Sequence, residues 1–209
     1  MRKLFLLGLA VIFTACSHTV NLRHTQTTVT YSDRLSGRTA IYISPNIADR
    51  ILEVASIGDP CGGHHYKMDL GHSLATAIRT GVETACQDVV VLSRRPSPLE
   101  MKAEDIHILL IPILTSADAD LTFHPIIFSN PACKATFQAG VTTQVIDANG
   151  KTFFSFTSSG IGLSNTTADC DQAADVLARA TETALQQIAD NIAQTINGSI
   201  QVRDAYSSK

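Results

Sequence analysis

The sequence predicts an α/β fold: a two-layer sandwich in which one mixed sheet of about five strands carries two long helices on one face. Three observations predict it. Short aliphatic runs alternate with segments whose apolar residues recur every three or four positions. Two of those helical segments are long enough to cover a sheet. A stretch from residue 133 onward alternates apolar and polar residues on both sides of a turn-forming tetrad.

The elements follow in order. Thr39–Ser44 is a short apolar run closed by Pro45, a strand. A Gly-Pro loop occupies 58–63. Met68–Cys86 is a helix, with Leu74, Ala77, Ile78, Val82 and Ala85 on one face and Asp69 placed to cap it. Val89–Leu92 is a β-branched run that reads as a buried strand. Residues 93–104, with Pro96 and Pro98, form a crossover. Asp105–Leu114 is apolar on both faces and reads as a central strand. Cys133–Asp147 and Lys151–Leu163 form a hairpin about Asp147-Ala148-Asn149-Gly150. The final helix runs from Asp169 to Asn197, with Leu177, Ala180, Ala184, Ile188, Ile192 and Ile196 as its stripe and Gly198 as its C-cap. The order is β-α-β-β-β-β-α. Crossovers make the first three strands parallel, and the last pair is antiparallel.

Composition narrows the function classes. The chain has 209 residues, 44% apolar and 17% charged, with a formal net charge of -3. That balance is globular and excludes a strongly basic nucleic-acid binder. Trp is absent and aromatics are 6%, which disfavours a stacking platform for bases or sugars.

The N-terminus gives an address. Met1-Arg2-Lys3 is a positive start, and Leu4–Phe13 is an apolar run too short to span a bilayer. Phe13-Thr14-Ala15-Cys16 resembles a bacterial lipobox, with Phe13 where Leu is usual. The resemblance implies a signal peptide over 1–15, cleavage before Cys16, and acylation of Cys16 by three chains, enough for stable anchoring. An ordinary signal peptide cut near Ala15 is the alternative. Ser17 after the Cys, in lipoprotein sorting, implies the bacterial outer membrane with the domain facing the periplasm. Loss of Arg2 and Lys3 leaves 14 basic against 19 acidic residues. Residues 16–38 read as a lipidated Cys and flexible tether, 39–203 as a single domain, and 204–209 as a tail.

Four cysteines remain. Cys61, Cys86, Cys133 and Cys170 in an oxidising compartment read as structural disulfides. Hairpin pairing sets Cys133 opposite residue 164, near Cys170, and Cys61 falls at the same end. Cys86 ends a helix about 27 Å long, at the other end. One bridge among Cys61, Cys133 and Cys170 is expected, Cys133–Cys170 first, with Cys86 a buried thiol; two full bridges are the alternative.

Two chemical constellations fall short. Cys61, His64, His65 and His72 supply metal-ligand types, but adjacent His64 and His65 diverge and a bridged Cys61 loses its thiolate. No metal is expected. Gly71-His72-Ser73-Leu74-Ala75 approaches the hydrolase elbow, but residues 66–70 are short and polar for the strand that motif needs, and Ser73 falls inside a helix. No P-loop or G-x-G-x-x-G occurs, so no cofactor is expected and the chain reads as not an enzyme.

The segment 115–132 reads as a long loop between strands. Its apolar residues Phe123, Ile126, Ile127 and Phe128 are the expected partner-binding loop. The alternative has the loop folding back over the core.

The whole layout resembles small outer-membrane lipoproteins of the YajG type and, more loosely, LptE-like lipoproteins and the auxiliary lipoproteins of lipid-transporting ABC systems. The lipobox, the helix around Leu74–Ala85, the strand Ile106–Leu114, the hairpin turn and the final helix carry that resemblance. It implies a non-enzymatic accessory or scaffold role in envelope assembly or transport, anchored in the outer membrane and contacting an envelope protein, without nucleic acid. A small-ligand or lipid-binding lipoprotein is the alternative.

Overall fold

The computed structural model describes residues 16–23 and 25–207; the signal peptide expected over 1–15 lies outside the described residues. In chain order the elements are β1 (Ser17–Val20), β2 (Leu35–Tyr42), α1 (Pro45–Ala48), β3 (Ile51–Ile57), β4 (His65–Asp69), α2 (Leu70–Ala85), β5 (Cys86–Leu92), α3 (Pro98–Ala103), β6 (Ile106–His124), β7 (Ala132–Asp147), β8 (Thr152–Thr167), α4 (Ala173–Gly198) and α5 (Ile200–Ser207).

The architecture is a mixed α/β fold around one curled, open, eight-stranded sheet. Its spine is β6, which pairs along nearly its whole length with β7, and β7 pairs with β8, all antiparallel. Two strands share the opposite edge of β6. Parallel β2 takes the first stretch, Ile106–Leu110, and β5 lies parallel outside β2. Parallel β3 takes the far stretch, with Ser56 opposite Leu121, and β4 and β1 follow outward. The parallel relation of the strands at 39–44, 89–92 and 105–114 and the hairpin at 147–150 are as the sequence predicts. The five expected strands become eight, because β1, β3 and β4 form a second wing. Val89–Leu92 belongs to an edge strand, β5, with Val91 exposed, and is not buried.

Both long helices lie on one face. The α4 stripe is buried, and the apolar face of α2 is buried beside it. Close approach is built with glycine. A Cβ at Gly162 would fall on the carbonyl oxygen of Ala180, and one at Gly160 on that of Ala184, so β8 seats α4 directly on its backbone. At Gly81 a Cβ would meet Ala189 O at 2.5 Å, so α2 and α4 touch the same way. Asp69 caps α2 by accepting from His72 N at 3.0 Å. On the other sheet face a smaller cluster of Ala40, Met101, Ile106, Leu109, Ile111 and Ile146 lies under α3. Residues 93–104, expected as a crossover, contain that helix, whose Ser97 and Glu100 form a capping box.

Two expected boundaries change. The expected free tether over 16–38 is held down in its described residues, 16–23 and 25–38. Beyond β1, Arg23 N donates to Glu182 Oε1 (2.8 Å), Thr27 pairs with Thr84 (3.0 Å), and Thr28 N donates to Asp190 Oδ1 (2.9 Å). Arg34 then donates to the carbonyls of Glu83 and Cys86. The segment is a strap across the helix layer, and polar composition hid it because beyond Val20 and Leu22 it is held mostly by hydrogen bonds to side chains and carbonyls of the helix layer. At the other terminus Gly198 does not end the fold. Ser199 takes the C-cap position of α4, and α5 follows, with Val202 buried and Tyr206 against Thr39 and Cys86, so 204–207 is helix and not tail.

Candidate functional site

The registers bring the N-terminal and hairpin features to one end of the molecule. Cys16 is exposed, and its carbonyl accepts from His65 N at 3.0 Å, so β1 docks on β4 from its first residue. His18 is the hub of that docking. Its Nε2 lies 2.8 Å from His64 Nδ1, its Nδ1 lies 3.4 Å from Asp171, and its ring stacks on Tyr66 at 4.8 Å. The Tyr66 hydroxyl donates to Cys170 O at 2.7 Å, and burial raises its pKa. Cys170 is bridged to Cys61, Cα to Cα 5.5 Å. The bridge and the His18–Tyr66 stack therefore tie β1, the β3–β4 loop and the start of α4 into one block.

The bridge corrects the expected first choice, Cys133–Cys170. Cys133 pairs with Thr166 in the ladder, but its side chain faces the core as a buried free thiol, with its pKa pushed up to about 11 by burial. Cys61 reaches Cys170 because the β3–β4 hairpin, unread in the sequence, carries the 58–64 loop there. Cys86 is a buried free thiol, its pKa also raised by burial.

The expected 115–132 loop is mostly strand. Residues to His124 continue β6, and only 125–131 form the hairpin connection. Phe123 is 2% exposed and belongs to the core, not to a partner-binding surface, since the ladder aims it inward with Leu121. Ile126, Ile127 and Phe128 are exposed, Phe128 completely so (106%). Ser129 N donates to Ile126 O at 3.4 Å, which sets Ile127 and Phe128 at the two corners of a turn, and Phe128 has φ +63°.

The other singled-out residues separate. Cys61 is bridged, His64 is bonded to His18, and His65 sits 3.1 Å from Glu53. His72 is exposed at the first turn of α2. Among the described residues no three metal-ligating side chains come together. Ser73 is buried within α2; the residues before it do form a strand, β4, contrary to the sequence reading, but the serine is past the strand–helix turn and inside the helix. At the far end an open cleft of about 480 Å³ is lined by Lys102, His107, Asp147, Phe153 and Asp204. His107 stacks on Tyr206 there at 5.6 Å. No helix among the described residues is long and apolar enough to cross a membrane.

Sequence reasoning missed the His18–Tyr66–Asp171 cluster. Its signal was the alternation of Tyr66 and Met68 with His65, Lys67 and Asp69, which has period two and marks β4.

No protein-family model and no curated protein matches the chain. Solved structures resemble it distantly. A Helicobacter pylori protein assigned as a neuraminyllactose-binding hemagglutinin homolog matches at TM-score 0.47 and 11% identity, over 90% of this chain and 97% of that one. The PelC dodecamer from Paraburkholderia phytofirmans matches at 0.29 and 14%, over 75% and 94%. A Caulobacter crescentus CB15 protein assigned as a lipoprotein matches at 0.33 and 13%, over 70% and 92%.

Proposed function

We propose that this chain is a bacterial outer-membrane lipoprotein, acylated on Cys16, whose periplasmic domain is a non-catalytic accessory or scaffold for envelope assembly or transport and works by contact with another envelope protein. The observation that carries this reading is the close seating of the helix layer on the sheet and of the two long helices on each other. The Gly162–Ala180, Gly160–Ala184 and Gly81–Ala189 approaches bring helix backbone onto strand and helix backbone. Such packing supports a rigid body that presents surfaces. It disfavours the alternative of a lipid or small-ligand carrier, which needs an apolar chamber between sheet and helices.

Two features support protein contact. The half of the outer sheet face that α3 leaves uncovered exposes Ile161 and Leu163 beside Asp118, Asp120 and Gln138. This mixed apolar and polar surface suits a protein partner. Asn191 and Gln187 of α4 bond Ser159 O and Ile161 N on the β8 edge, and beyond them, from Leu163 to Thr167, that edge pairs among the described residues only with β7 and can take another strand.

The test is in-cell photo-crosslinking from positions 161 and 163, with intact-mass measurement of the chain recovered from membranes. One dominant envelope-protein adduct and a triacyl mass on a chain starting at Cys16 are expected. Lipid or small-molecule adducts without a protein would favour the carrier reading. A chain without acyl mass would overturn the anchor.

A further inference from the structure

We propose that the β6–β7 hairpin tip, Ile126-Ile127-Phe128, is a membrane-interface prong that inserts into the same leaflet that holds the Cys16 acyl chains. This rests on the anchor reading above.

The register sets the tip at the anchored end of the sheet. Cys16 precedes the Ser17–His65 pair, and Ala55 lies opposite His65, so Cys16 is level with Ser56, whose partner on β6 is Leu121. Cys16 and the tip therefore share one end of the sheet. They are separated by the β1–β4–β3–β6 path, three strand spacings or about 14 Å. The ladder continues from Leu121 to the His124–Ala132 pair, which carries the tip about 10 Å beyond the level of Cys16 at ~3.3 Å per residue. A prong buried by about 5–10 Å in the headgroup boundary leaves Cys16 at the surface, where its diacylglyceryl group must be.

The backbone conformation of the tip points the same way. The corner position with φ > 0 is ordinarily filled by Gly or Asn. Here it holds Phe128 at φ +63°, fully exposed, with Ile127 at 83% exposure before it. A bulky residue in that region is a costly choice for a turn facing water. Nothing inside the fold compensates for it, because the ring touches solvent. An apolar phase outside the fold does compensate.

Charge selects the kind of surface. Asp59, Asp169, Asp171 and Asp175 sit at this end together with His124, Lys134 and Arg179, so the described residues form no basic patch here to seek anionic lipid. Attachment is apolar and suits a zwitterionic leaflet, with little dependence on salt.

The chain has no Trp, so Phe128→Trp makes a single reporter, and Asn149→Trp on the distal turn is its control. Both positions are exposed, so neither change threatens the core. The full-length chains, recovered from bacterial membranes, are reconstituted into phosphatidylcholine vesicles with bromines on the acyl chains. The expected result is a blue-shifted indole emission from the Phe128→Trp chain, quenched roughly twofold or more, since a ring ~5–10 Å deep reaches the acyl chains. The Asn149→Trp chain stays unquenched. Unquenched emission from a Phe128→Trp chain that carries acyl mass and floats with the vesicles overturns the prong and leaves the anchor. A chain without acyl mass overturns the anchor, and quenching of the Phe128→Trp reporter in the same sample then decides the prong by itself. A photo-crosslinker at position 128 should give lipid adducts in cells; a dominant adduct to another protein, or to a second copy, overturns the prong.

Discussion

Removing the Cys61–Cys170 bridge should cost this domain much of its stability without changing its fold. The bridge closes a separation of 109 residues. In the chain-entropy account, a loop of that length restricts the unfolded state by about 4.8 kcal/mol at 25 °C. Domains of this size have only about 5–15 kcal/mol in all. The double variant Cys61→Ala/Cys170→Ala should therefore unfold at markedly lower urea, with a midpoint temperature lower by roughly 10–20 °C, at ~2–4 °C per kcal/mol. The variant also releases the β3–β4 loop from the start of α4, so the His18–Tyr66 stack that depends on both should loosen. Urea denaturation with and without reductant measures the first effect, and amide exchange at Tyr66 the second. Equal midpoints for the oxidised and bridge-free chains would refute the loop-closure argument. Disulfide mapping that returned a Cys133–Cys170 peptide would refute the placement of Cys133 in the core.

Three further outcomes follow from the same structure. Gly162→Ala drives a Cβ onto Ala180 O and should destabilise by about 1–3 kcal/mol or more, since α4 must lift. Gly140→Ala meets only the hydroxyls of Thr115 (2.9 Å) and Ser116 (3.0 Å), and moving them gives up at most the Thr115–Gly140 O hydrogen bond, so it should cost clearly less; equal urea midpoints for the two variants would refute this difference. The Glu100 carboxylate is held at about 2, first by Arg94 and then by the Ser97 amide and hydroxyl. Its folded pKa is depressed, so its contribution is present above the unfolded value of about 4.3 and is lost as pH falls toward 2. Thermal unfolding curves of wild type and Glu100→Gln should converge over that window; a gap unchanged down to pH 2 would count against it. Cys86 and Cys133 are buried with raised pKa values, so in a Cys16→Ser chain no thiol should react quickly with an aromatic disulfide reagent until denaturant is added.

The elements legible in the sequence were those with one strong signal. The stripes Leu74–Ala85 and Leu177–Ile196 are buried as read, and the runs at 40–41 and 106–111 lie in the sheet core. The second wing was hidden because its strands are half polar. Glu53, His65 and Lys67 face water and pair with each other across β3 and β4, which dilutes the hydrophobicity of Val54, Tyr66 and Met68. The far half of β6 was hidden differently. Its inward residues Ala117 and Ala119 are too small to register beside Asp118 and Asp120, so the sequence presents a loop there, with Phe123 at the surface. The bridge partner of Cys170 was lost for the same reason, since only the β3–β4 hairpin places Cys61 beside it. Cys16 and the exposed Ile126–Phe128 were readable locally; that they share one end of the molecule is a property of register alone.

The strap of residues 17–23 and 25–38 turns the domain into a ruler of fixed length. With Cys16 at the membrane as proposed, there is no slack chain to let out. The farthest point of the domain is set by its own elements, and α4 alone, at 26 residues and 1.5 Å each, gives a length of about 39 Å. The distal cleft around His107 and Asp204 is thus held at a near-constant height above the leaflet. A partner that is itself fixed in the envelope must have its matching surface at that height.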